Sequence, residues 1–99
     1  MFDDDRLPTH LWVSAHIRQL NNDGIPAMVL QKGERNSGTL MLKLNMFENG
    51  CRVLTQMRDI DGRMGWLAAF KGEAVEEPEA DAHIARATGR DPDLWVIEI

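Results

Sequence analysis

The sequence predicts an α+β fold: a two-layer sandwich with elements in the order α-β-β-β-β-α-β, an antiparallel meander packed on two helices, and the C-terminal strand inserted in the sheet. Three observations predict it. Residues 9–22 and 78–89 carry apolar side chains at helical spacing. Three apolar runs, 39–46, 51–58 and 63–70, are separated by segments containing Asn49-Gly50 and Asp61-Gly62. Residues 93–99 would be apolar on both faces of a strand, which asks for cover on both layers.

The first helix, THLWVSAHIRQLNN, places Val13, Ile17 and Leu20 at i, i+4 and i+7. Thr9 suits its N-cap, and Gly24 stands where a terminating glycine belongs. The first strand, residues 26–32, opens on Pro26, which lacks an N–H and fits only a first position. In the meander, Asn-Gly and Asp-Gly favour two-residue turns that need positive φ. Such turns would oppose Met46 to Val53, Leu44 to Thr55 and Leu42 to Met57, then Met57 to Trp66, Thr55 to Ala68 and Val53 to Phe70. Opposed residues share a face. That face would be the core, with both helices covering it. The second helix, PEADAHIARATG, has Pro78 in its first turn, Gly89 past its end, and Ala80, Ile84 and Ala87 as its apolar stripe. Pro92 then keeps Asp91 extended. Trp95, Ile97 and Ile99 point one way, Leu94 and Val96 the other. The stretch 26–32 has the same two-sided character, so the last strand is expected beside the first.

At 99 residues the chain is expected to form one domain, 1–99, with residues 1–6 as a disordered arm. A single cysteine, Cys51, excludes an intramolecular disulfide. No run reaches the roughly 18 apolar residues of a membrane span. The opening MFDDDRLP lacks the apolar core of a secretory signal, and a cytoplasmic location is expected. The net charge of −5 divides as −2 over residues 1–24, +3 over 25–71 and −6 over 72–99. An acidic chain with one mildly basic island disfavours general nucleic-acid binding, which needs a basic footprint.

No motif carries chemistry. His10 and His16 lie about 240° apart on a helix and cannot share a ligand. No H-x-x-x-H or C-x-x-C pair is present, so no metal or cofactor is expected. Cys51 has no Lys or His close in sequence to activate it. GERNSG (33–38) departs from a phosphate loop because Thr39, not lysine, follows its second glycine; it is expected to be a mobile hairpin loop. The acidic run from Glu73 to Asp81 is expected to be a solvated face.

What remains is a surface. The expected register puts Met41, Lys43, Arg52, Leu54, Arg58, Leu67, Ala69 and Lys71 on the second face of the meander. Its apolar centre and basic border have the anatomy of an interface. A non-enzymatic module that self-associates or docks a protein partner is the first expectation. A nucleic-acid or nucleotide binder using Lys43, Arg52, Arg58 and Lys71 is the second.

The segments LWVSAHIRQL and GTLMLKLN, and above all DPDLWVIEI, resemble a mostly alphaproteobacterial family catalogued as domain of unknown function 1491. The resemblance runs from about Leu7 to Ile99. It implies a bacterial, cytoplasmic protein and carries no activity, cofactor or site residue with it.

Overall fold

The computed structural model describes residues 8–99, so the expectation for residues 1–6 lies outside them. The elements are α1 (Thr9–Asn22), β1 (Met28–Gln31), β2 (Leu40–Asn45), β3 (Cys51–Arg58), β4 (Met64–Ala68), α2 (Glu77–Arg90) and β5 (Trp95–Glu98). The order is the expected one. So is the insertion of the last strand: the sheet runs β1-β5-β2-β3-β4. β5 pairs antiparallel with β1 and parallel with β2.

The two-sided apolar pattern of β5 builds two cores. Leu94 and Val96 join Met41, Cys51 and Val53 beneath Ala80, Ile84 and Ala87 of α2. Trp95 and Ile97 join Leu40 beneath Val13 of α1. Successive strand residues point to opposite faces, so the helices lie on opposite sides of the sheet. The sequence reading places both on one face; instead each takes one, and the sheet is the middle layer of three. The reason is that β5 and the start of β2 are apolar on both faces, and each face needs its own cover.

The GERNSG segment is not a hairpin loop, because β5 lies between the two strands it joins. It carries the chain from β1 past β5 to β2 and is tied down along its length. Glu34 N donates to Asp93 O at 2.9 Å, and Trp95 Nε1 donates to Glu34 O at 2.7 Å. Thr9 caps this loop rather than its own helix, its hydroxyl donating to Gly38 O at 3.1 Å. A Cβ on Gly33 would collide with the Asp93 carbonyl, and one on Gly38 would come within 2.5 Å of the same oxygen.

Four buried side chains, Leu94 to Ile97, come from this last segment. Each contributes roughly 1.5–3 kcal/mol, against a net domain stability of about 5–15 kcal/mol. Deletion of residues 93–99 should therefore abolish the cooperative unfolding transition; a soluble truncation that still melts cooperatively would refute the placement. In urea denaturation, Gly33→Ala should lose about 3 kcal/mol or more. Gly65→Ala, with open space around its new methyl, should be neutral or gain up to about 1 kcal/mol.

Candidate functional site

Two turns decide where each candidate side chain lies. Asn45 Oδ1 accepts from Phe47 N at 2.9 Å, and Asn45 opposes Cys51 across the ladder. Asp59 Oδ1 accepts from the N–H groups of Asp61 and Arg63, both at 2.9 Å, and Arg58 opposes Met64. Asn and Asp side chains that bond to the backbone ahead of them mimic a turn. Here they open the loops earlier than Asn49-Gly50 and Asp61-Gly62 alone suggest. Leu42 consequently faces Leu54 rather than Met57, and Thr55 faces Leu67 rather than Ala68. Both displacements are odd, so each neighbour is flipped relative to β3.

The expected working face is therefore divided. Met41, Lys43 and Leu67 lie on the α2 side, while Arg52, Leu54 and Arg58 lie on the α1 side. Ala69 and Lys71 sit in the turn after β4. Met41 and Lys43 are buried. The four cations Lys43, Arg52, Arg58 and Lys71 do not form one patch.

Lys43 is instead the centre of an ion cluster. It is 3% exposed. Its Nζ lies 2.7 Å from Glu77 Oε2, 2.7 Å from Asp81 Oδ1 and 3.5 Å from Glu98 Oε1. Asn45 Nδ2 adds a bond to Glu98 Oε2 at 3.1 Å. Burial disfavours the ammonium. The hydrogen bonds to Asp81 and Glu77 and the charge of Glu98 outweigh it, and hold Lys43 above the usual lysine value. A lysine held charged is neither nucleophile nor base at neutral pH. The cluster is a staple joining β2, β5 and the start of α2. It also gives part of the acidic run a structural role: Glu77 and Asp81, four apart on α2, meet Lys43. Cys51, next to the same cluster, is buried, and burial pushes its thiol up. The histidines are scattered: His10 Nδ1 lies 3.0 Å from Arg35 O, His16 stacks on Trp12, and His83 packs against Phe70. Among the described residues no group of three or more His, Cys, Asp or Glu side chains could hold a metal ion.

The exposed chemistry lies on the β3–β4 hairpin. Its tip and edge leave Met57, Ile60, Met64, Trp66 and Leu67 in water; Leu67 is 58% exposed, Trp66 44%, and Ile60 fully exposed. Met64 and Trp66 share a face with Leu54, Arg52 and Arg58, and Leu67 lies on the other. A cleft of about 450 Å³ separates Trp12 of α1 from Gln56, Arg58 and Met64 of the hairpin. Among the described residues no strand follows β4 in the sheet. The expected two-residue turns place Trp66 and Met57 on the covered face. The missed signal was that MGWLA does not alternate, as befits a strand half-exposed on both sides.

The family model described as a protein of unknown function (DUF1491) matches residues 7–99. The chain belongs to the DUF1491 family. A crystal structure of a DUF1491 family protein from Caulobacter crescentus CB15 is 33% identical with a TM-score of 0.81, the match covering 93% of this chain and 85% of that one. An NMR structure of a DUF1491 family protein from the same organism is 34% identical with a TM-score of 0.80, covering 94% and 84%. A solution structure of a protein from A. tumefaciens is 25% identical with a TM-score of 0.74, again covering 94% and 84%. No curated protein matches the chain. The DUF1491 resemblance was strongest in DPDLWVIEI, and that segment is the doubly paired β5 with its lead-in. It marks the fold rather than a site.

The Lys43 cluster yields a signed pH dependence. Its proton is held more tightly in the folded state, so its stabilisation is complete below the ordinary lysine value of 10.5 and is lost as pH rises through the higher folded value. Lys43→Met keeps the bulk but leaves three carboxylates facing one another. It should lose about 2–3 kcal/mol at neutral pH. Urea denaturation at stepped pH should show this difference from wild type shrinking above about pH 10.5. A difference that stays constant across that range would contradict the assignment.

Proposed function

We propose that this DUF1491 protein is a non-enzymatic interaction module that adds an extended segment of another protein to its β4 edge. The observation that carries the reading is the row of large apolar side chains left in water along an edge strand that no other described strand pairs. Natural edges are blunted by proline, lysine, bulges or covering elements. The β1 edge has such guards: Pro26 precedes it, the register shifts between Val29 and Gln31, and Lys32 follows. β4 has no proline, lysine or register shift within Met64–Ala68, and its cations, Arg63 and Lys71, lie outside the strand.

The occupant follows from size and charge. Five residues offer about 17 Å of edge, short of the roughly 20–30 residues a side in a stable interface between globular partners. Strand addition needs only a short edge, with main-chain bonds for affinity and alternate side chains for specificity. Residues 51–72 carry Arg52, Arg58, Arg63 and Lys71 against Asp59 and Asp61. An apolar segment flanked by acidic residues fits that surround better than a second copy, which would bring the same cations. A cytoplasmic location belongs to the same proposal, supported by the buried free thiol of Cys51 and by the absence, among the described residues, of a helix long and apolar enough to cross a membrane.

Nucleic acid is the weaker reading. Trp66 with Arg52 and Arg58 offers one stacking platform with two cations, where single-strand binders use several aromatic platforms along a basic groove.

The test is capture from native lysate with wild type and with Trp66→Glu/Leu67→Glu, followed by purification of what is captured. Both substitutions are at exposed sites, so the fold should survive. A purified partner should bind wild type, lose at least about tenfold in affinity to the double variant, and protect β4 amides from hydrogen exchange. A partner that binds both alike, or protects other amides, contradicts the proposal. Binding of labelled single-stranded RNA at low salt, weakened by Arg52→Glu/Arg58→Glu, would favour the second reading instead.

A further inference from the structure

Helix α1 covers its face of the sheet narrowly, with only Val13 of its side chains buried. On the flank away from the hairpin it leaves a groove of about 560 Å³ against β1 and the loop that follows. Val13, Ile17, Val29 and Trp95 line it with apolar surface, and His10, Arg18, Lys32 and Arg35 line it with polar and cationic groups. No carboxylate is among the described residues that line it.

The charge arrangement is unusual for a chain of net charge −5. Lys43 recruits three carboxylates. Arg18, Lys32 and Arg35 recruit none: among the described residues no acidic group lies within ion-pair distance of any of them. The nearest acidic residue in sequence, Glu34, is committed elsewhere. Its Oε2 accepts from Asn36 N at 2.8 Å and Ser37 N at 2.6 Å, and those bonds hold its carboxyl below the usual range. The loop presenting Lys32 and Arg35 is fixed by Trp95 Nε1 on Glu34 O and by Thr9 and His10 N–H on the Asn36 and Arg35 carbonyls. Cations gathered along a concave, partly apolar wall raise the local concentration of anions. The volume lies within the roughly 300–1,000 Å³ of small-molecule sites.

The geometry points to a binding site in this groove for a small amphipathic anion. Its carboxylate, sulfonate or phosphate head would be held by Lys32, Arg35 and Arg18. Its apolar body would lie over the half-buried Ile17 and Val29. Inorganic anions lack the body, and neutral aromatics lack the head. The site is separate from the β4 edge and stands or falls independently of it.

The test titrates the ¹⁵N-labelled chain with three probes: naphthalene-2-sulfonate, the uncharged naphthalene-2-methanol, and inorganic phosphate. Saturable shifts confined to residues 10–18 and 29–35 are expected with the sulfonate. Binding should be at least about tenfold weaker for the other two probes and for sulfonate on Lys32→Glu/Arg35→Glu, whose exposed substitutions leave the spectrum folded. Flotation with phosphatidylglycerol vesicles distinguishes sources: binding lost in the same variant places the anion in a lipid, and soluble-probe binding alone makes it a free molecule. No shift in the groove, equal binding of the neutral probe or of the variant, or shifts mapping to the β3–β4 hairpin would overturn the proposal.

Discussion

β5 pairs with β1 on one side and β2 on the other, while its side chains alternate between two cores. Take it away and β1 loses its only strand neighbour among the described residues. Both helices would also lose part of the surface they cover. The loop between β1 and β2 is shaped by the same constraint, since it must pass β5 closely enough that glycine is required at both of its ends.

The placement of β5 was legible because it rests on composition: a strand with no polar face has only one place to go. The layering was not legible, for a related reason. The meander's apolar side alone argues for both helices on one face, yet β2 is apolar on both sides near Leu40 and Met41 and supports a helix on each. The meander's register failed on two side chains. Asn45 and Asp59 each open a loop by bonding to the backbone ahead of them, and a sequence scan for Asn-Gly and Asp-Gly does not weigh them. An odd error in register is the most damaging kind, because it moves whole rows to the wrong side. It removed Lys43 from the surface and put Trp66 on it. The interior position of Lys43 had a signal: one cation in the apolar run LMLKLN, with Glu77 and Asp81 four apart elsewhere on a helix.

Chemistry and exposure are separated in this molecule. Its interior polar group, Lys43, is fully paired and structural. Its thiol is buried within the α2-side core. What faces water is a hairpin that extends past the cover of either helix, and two flanks that the narrow helix α1 leaves open. The rigid middle of the sheet holds the edges in place, and the edges carry the unspent apolar surface.

The central claim is that β5, paired on both edges and buried on both faces, is the last strand to open. Native-state hydrogen exchange measures this directly. The amides of Trp95–Glu98 should be among the slowest in the protein, with opening free energies that equal global unfolding and fall with denaturant at the global slope. Exchange of those amides at the rate of the β4 edge, with a shallow denaturant dependence, would show that β5 detaches from an intact domain, and would contradict the account.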